Sequence, residues 1–212
     1  MAQLPQTENL SIDGPAGKLQ AILESPRDEQ PAGIVVICHP HPVHGGTMQN
    51  KVVHTLSRAF THQDFLALRF NFRGVGESAG AFDEGEGEFL DTLAAIEWSR
   101  RQAPDLPLWV AGFSFGAAMS VRAAVEASPA GLVSVAPAAS RFAASLQSQP
   151  QCPWLILQGD QDEQVDLAET IDWLNQLAPG PELQVFPGVD HFFHGRLVML
   201  RNAVENFIEA NQ

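Results

Sequence analysis

PLWVAGFSFGAAMSVRAA, residues 107–124, decides the fold. Its first part, PLWVAGF (107–113), reads as a strand. From Ser114 onward it is alanine-rich and helical. Between the two halves lies Gly112-Phe113-Ser114-Phe115-Gly116, a G-x-S-x-G pattern at a strand-to-helix junction. A turn that sharp needs small residues on either side of the serine, because a bulky group would meet the backbone. It raises the Ser114 hydroxyl above the sheet and sets a helix N-terminus beneath it, which favours developing negative charge. The pattern is common by chance, but in this setting it marks a nucleophile. The competing reading is a structural serine that caps a helix.

The same alternation runs outward in both directions. GIVVICH (33–39), FLALRFNF (65–72), GLVSVAP (131–137), PWLILQG (153–159) and PELQVFPG (181–188) read as strands. Helical spacing follows most of them. Val52, Val53, Leu56, Ala59 and Phe60 make one face. Phe89, Leu93, Ile96 and Arg100 make a second, with acids in the first turn as the helix dipole favours. Leu167, Ile171, Leu174 and Ala178 make a third, and Phe193, Leu197, Leu200, Val204 and Phe207 the last. GPAG between ENLSI and KLQAILES reads as the turn of a leading hairpin. Strand and helix in alternation predict an α/β protein with a mostly parallel, doubly wound sheet, an antiparallel hairpin in front and helices on both faces. No repeat or linker divides the chain, and 212 residues at 45% hydrophobic composition suit one domain spanning 1–212.

The formal net charge of −13 makes nucleic acid and anionic membrane surfaces poor partners. Two cysteines, Cys38 and Cys152, are no disulfide framework, and a reducing, cytoplasmic setting is the expectation. The first residues lack the charged and apolar regions of a secretory signal, and no apolar run is long enough to span a membrane.

A serine hydroxyl needs a base, and the base needs an orienting acid. The acid is expected after PWLILQG, where GDQDEQV offers Asp160, Asp162 and Asp166. The base is expected after ELQVFPG, where GVDHFFHG offers His191 and His194. Asp190 adjoins His191 on the backbone and is badly placed to orient its ring.

Five stretches together, HPHPVHGGTMQNKVV, LRFNFRGVGESAG, GFSFGA, GDQDEQV and GVDHFF, resemble those of compact bacterial α/β-hydrolases related to dienelactone hydrolases and short carboxylesterases. They span residues 39 to 193. The resemblance implies an α/β-hydrolase fold and a Ser-His-Asp triad. In relatives the acid lies in G-x-x-D-x-x-V, which falls here on Gly159, Asp162 and Val165. The histidine of G-x-x-H-x-F falls on His191. Asp160 is then expected to support the turn or cap the next helix, and His194 to lie at the surface. The resemblance also places half of an oxyanion hole after GIVVICH. Relatives read H-G-x there. This chain reads His39-Pro40-His41, and Pro40 has no N–H, so the donor passes to the His41 amide. Phe115, after the nucleophile, supplies the other.

His39, His41 and His44 also have the spacing of a zinc motif, H-x-H-x-x-H. The Asp that usually precedes the third histidine is Val43 here, and a nucleophile elbow would be idle in such an enzyme. No metal is expected. His39 should instead pack beneath its loop, and His44-Gly45-Gly46 should shape a turn before a helix at Met48. GVGESA (74–79) meets the dinucleotide pattern G-x-G-x-x-A, but an acidic, flexible stretch follows where a helix would have to begin. It reads as a strand-to-loop turn braced by Arg73, and no cofactor is expected.

Only Ala138 to Cys152 separate two strands where lid domains of this fold are inserted, so no cap domain is expected. An open site suits small, soluble, short-acyl esters. The 74–85 loop and 138–151 are expected to wall the cleft. Phe113, Phe115, Phe142, Phe192 and Phe193 are candidates for an apolar acyl pocket or for core. A peptidase or thioesterase on the same triad, or a binding protein that kept the scaffold, are the alternatives.

Overall fold

The computed structural model describes residues 6–26, 30–138 and 148–212 of the chain. Phe142 and most of the 138–151 stretch lie outside the described residues. Eight strands form one sheet: β1 (Thr7–Gly14), β2 (Gly17–Glu24), β3 (Gly33–Cys38), β4 (Phe65–Phe70), β5 (Leu108–Phe113), β6 (Gly131–Val135), β7 (Trp154–Gly159) and β8 (Glu182–Phe186). Their order is β1-β2-β4-β3-β5-β6-β7-β8. β1 and β2 form the antiparallel hairpin, with Gly14 opposite Gly17. β2 also runs antiparallel to β4, and every later pairing is parallel.

The helices are α1 (Lys51–His62), α2 (Glu86–Gln102), α3 (Phe115–Ala127), α4 (Leu167–Leu174) and α5 (Leu197–Asn211). Strand residues alternate between two cores. Ile34, Val36, Val110 and Ile156 face one core with α2, α3 and Trp173 of α4. Val35, Ile37, Ala111 and Leu157 face the other with α1 and α5. β3, β5, β6 and β7 are buried along their whole length, as their unbroken apolar runs require.

Several local expectations are corrected. The closing helix starts at Leu197, and Phe193 lies before it in a left-handed turn, φ 54°, fully buried. α1 starts at Lys51 rather than Met48, after the cap Asn50 accepts from Val52 N. α4 buries Thr170 and Trp173, while Ile171 is exposed and Ala178 lies past its end. The most buried side chains of α2 include Glu88, Asp91, Thr92 and Ser99, and Arg100 faces solvent. Three of those polar groups, Glu88, Asp91 and Thr92, have local partners. Glu88 accepts from the amides of Asp83 and Gly85, and Asp91 takes a bidentate pair from Arg73 at 2.8 and 3.0 Å.

Candidate active site

The elbow after β5 is set by close backbone approach. A Cβ on Gly116 would collide with the carbonyl groups of Cys38 and His39, and one on Gly112 with the carbonyl of Gly116. Ser120 ties the junction by donating to Ala111 O at 2.9 Å and Gly116 O at 2.8 Å. Between the glycines, Ser114 sits at φ 55°, ψ −119°, a conformation that costs a non-glycine residue roughly 1–3 kcal/mol. Its own amide is held by Val135 O at 2.8 Å. The side chain therefore stands at the C-terminal edge of the sheet, one residue before the first turn of α3.

Two further strand ends are stitched together beside it. Asp160 N donates to Phe186 O at 3.1 Å and Gln161 N to Val189 O at 3.1 Å. Asp160 Oδ1 accepts from Gly188 N at 2.7 Å. Glu163 accepts from the His191 amide at 3.3 Å. Asp162 Oδ1 takes the amides of Gln164 and Val165 at 2.9 and 2.8 Å, which fixes the carboxylate. Val165 O in turn accepts from Nε2 of the buried Gln158 at 2.7 Å.

These loops bring His191 Nδ1 within 2.9 and 2.8 Å of the two Asp162 oxygens, and His191 Nε2 within 3.1 Å of Ser114 Oγ. A carboxylate only accepts, so Nδ1 carries the proton and Nε2 offers a lone pair to the serine hydroxyl. The Asp162 and His191 side chains are each 1% exposed. The imidazole is packed against Phe113 and Phe192, ring centroids 4.9 and 5.0 Å away.

The other candidates have different work. Asp160 is exposed and joins the two loops. Asp166 caps α4 by accepting from Ala168 N at 2.7 Å. Asp190 pairs with His194 at 2.7 Å on the surface.

The histidine loop is resolved the same way. His39 is fully buried. Its Nδ1 donates to Pro40 O at 2.6 Å and its Nε2 accepts from Phe72 N at 3.0 Å. Both ring nitrogens are thereby committed, leaving no lone pair for a metal. Burial, against the favourable bond to Pro40, pushes its pKa down to about 4. His41 Nδ1 accepts from Val43 N at 3.3 Å, within a short 3₁₀ turn over Pro42–His44. Burial, helped by the neighbouring His44, lowers the His41 pKa. Gly46 N closes the loop on His41 O at 3.0 Å.

GVGESA is a turn. Ser78 Oγ donates to Asn71 O at 2.7 Å and accepts from Gln20 N, and α2 begins only at Glu86. Arg73 braces it through Asp91, as expected.

A cavity of about 190 Å³ opens at Ser114. Among the described residues it is lined by His41 and His44, by Phe115, and by Ala138, Gln164 and Val165. Phe113 and Phe193 belong to the core instead. Phe192 lines a neighbouring groove. Phe82, from the 74–85 loop, packs on His41 with ring centroids 4.9 Å apart, so that loop does wall the site. Sequence reasoning missed Gln158, Glu163 and Gln164. Gln158 carried one signal, an amide ending an otherwise apolar strand. The other two had none.

Comparisons with known proteins agree with this architecture. A family model described as serine aminopeptidase, S33, matches residues 29–145. The chain is similar to a lidless α/β serine hydrolase from Xanthomonas campestris, with 41% identity, a TM-score of 0.91, and coverage of 99% of this chain and 97% of that one. It is similar to an α/β serine hydrolase homologue from Coxiella burnetii, with 43% identity, a TM-score of 0.90, and coverage of 94% and 96%. A dienelactone hydrolase from Anabaena variabilis shares the fold at 21% identity and a TM-score of 0.84, with 99% of each chain covered.

Proposed function

The chain belongs to the serine aminopeptidase S33 family of α/β-hydrolases, and from that premise we propose that it cleaves small carboxylic esters through an acyl-enzyme on Ser114. The observation that carries the reading is the unbroken hydrogen-bond chain from Ser114 Oγ through His191 to Asp162. Ser114 Oγ bonds to the ester carbonyl carbon while its proton passes to His191 Nε2. The carbonyl electron pair moves to oxygen, where the amides of His41 and Phe115 stabilise it. Asp162 holds the imidazole tautomer and steadies the imidazolium. The carbon–oxygen bond to the leaving alcohol then breaks, and the alcohol takes the proton from Nε2. Water repeats the sequence, His191 accepting its proton and returning it to Ser114. Side chains and water account for every proton and electron pair.

The whole chain, 1–212, acts in this reading as one domain with an open site. Its charge of −13 supports a small-molecule partner over nucleic acid or a membrane surface. Cys38 and Cys152 are free thiols whose pKa burial pushes up to about 11, which suits a cytoplasmic setting. No helix among the described residues is long and apolar enough to cross a membrane.

The family description favours one second reading, a peptidase. An aminopeptidase must hold a terminal ammonium, and no carboxylate lines the Ser114 cavity among the described residues.

Hydrolysis of p-nitrophenyl acetate, butyrate and longer esters, beside aminoacyl p-nitroanilides and a thioester, tests the proposal. Ester turnover that vanishes in Ser114→Ala and ignores chelator is expected. Faster cleavage of the anilides would make the protein a peptidase. Chelator-sensitive turnover would restore a metal mechanism, and no turnover of any substrate would leave a binding protein.

A further inference from the structure

Beside the Ser114 cavity lies a second, larger groove of about 450 Å³. One side is the segment entering α1, with Thr47, Gln49 and Lys51. The other is the turn after His191, with Phe192, His194 and Leu197. Both sides continue the active site along the chain. Gly45 of the groove follows His44 of the cavity, and Phe192 follows His191, whose ring it touches edge to face at 5.0 Å. Phe192 therefore stands between the groove and the imidazole, the group that must reach a departing oxygen.

Size separates the two spaces. Small-molecule sites commonly hold roughly 300–1,000 Å³. The groove at about 450 Å³ falls within that range and the cavity at about 190 Å³ below it. Charge separates them too. The chain has 25 Asp and Glu residues against 12 Lys and Arg, of which two are lysines, Lys18 and Lys51. Lys18 pairs with Asp13. Lys51 faces the groove, and among the described residues no carboxylate pairs with it or lines that space. His194 is bonded to Asp190 at 2.7 Å, and Lys51 is the one lysine or arginine lining the groove among the described residues.

We infer that the groove binds the leaving alcohol of the substrate, and that this alcohol is the larger part of the ester and carries an anionic group, while the acyl part is short. The inference rests on the serine-esterase reading above. It names Phe192 and Lys51 as specificity-determining residues, and it puts the substrate's acidic end on the His191 side of the scissile bond.

Two series of esters test it in the purified full-length protein. In the first, p-nitrophenol is esterified with acyl chains of increasing length, and kcat/KM should be highest for acetate and fall as the chain grows. In the second, acetic acid is esterified with 3-hydroxybenzoate or with its trimethylammonium analogue, and only the change between wild type and variant is compared for each. Each is assayed in wild type and Lys51→Glu, so that intrinsic leaving-group reactivity cancels in the ratio. The variant should lose kcat/KM for the carboxylate ester and gain it for the cationic one. The two ratios should differ by about fivefold, the upper end for one exposed charge pair. Added salt should shrink the difference. Lys51→Trp should lower the preference for bulky alcohols over methyl esters.

Rising activity with acyl length, or charge ratios equal in wild type and variant, would overturn the inference while leaving the serine mechanism standing. A failure of every ester in wild type would instead remove the reading beneath it. Circular dichroism and thermal melting of the Lys51 variants exclude misfolding, which an exposed first-turn position makes easy to avoid.

Discussion

Two histidines end two strands of this sheet, and both are buried. His39, after β3, is 0% exposed, and His191, after β8, is 1% exposed. Each uses both ring nitrogens. The difference is in the partners. His39 is held between a backbone carbonyl and a backbone amide, and neither can exchange its proton at working pH. His191 is held between a carboxylate and a hydroxyl, and the hydroxyl oxygen opens on a cavity. One ring is a strut, and in the proposed mechanism the other is a proton carrier. Burial alone does not distinguish them; the far end of each hydrogen bond does.

That contrast can be broken most forcefully at the serine end. Ser114→Ala or His191→Ala should lower ester turnover by a factor on the order of 10⁶ while the protein stays folded. Asp162→Asn should cost about 10⁴, because the ring would be held in the wrong tautomer. Asp160→Asn should stay within a few-fold of wild type. A reversed order of the two aspartates in a steady-state assay would show that the loop stitch and the acid had been exchanged.

The next effect separates backbone from side chain in the histidine loop. His41 has φ −51°, within reach of proline. His41→Pro removes the amide and should lower kcat by about 10²–10³. His41→Ala keeps the amide and should lose far less. Equal losses would move the contribution to the imidazole.

His39 should behave as the mirror image of His191. His39→Leu leaves a buried carbonyl and amide without partners and should destabilise the fold by about 2–4 kcal/mol, read by urea unfolding. Its titration adds a pH dependence. Burial lowers its pKa from 6.5 to about 4 in the folded protein. Between those values the unfolded chain binds a proton that the folded chain does not. Its contribution is therefore complete above pH 6.5 and is lost as pH falls toward 4, by on the order of 3 kcal/mol. His39→Gln should flatten that part of the stability curve. An unchanged curve would mean that His39 takes up its proton as readily in the fold as in the unfolded chain.

The parts of this arrangement legible in sequence are those with local causes. Gly112 and Gly116 announce the elbow because any side chain there meets backbone. The unbroken apolar runs of β3, β5 and β7 announce burial on two faces. Only the resemblance singles out Asp162 and His191 from Asp160, Asp166 and His194; in the fold His191 meets Asp162, while Asp160 joins the two loops. What stayed hidden depends on distant partners. The face of α2 looked apolar through Phe89 and Leu93, yet it buries Glu88 and Asp91 because Arg73 and two amides of the preceding loop need acceptors. The face of α4 was misplaced because Trp173, rather than Ile171, finds Trp154 across the core. Phe113 and Phe193 suggested an acyl pocket by proximity to the motifs, but strand alternation and a left-handed turn direct them inward. No pattern in the sequence links Gln158 to Val165, or Glu163 to the His191 amide, since each contact joins elements that only the folded sheet brings together.

The central claim is that the His191 ring activates the Ser114 hydroxyl, and it can be tested without knowing the substrate. The protein is treated with a fluorophosphonate and the adduct is located by peptide mass spectrometry, in wild type and in His191→Ala. The account predicts a single adduct on Ser114, formed rapidly in wild type and slower by orders of magnitude without the imidazole. An adduct on another residue, or Ser114 labelling that proceeds equally fast in both proteins, would contradict it.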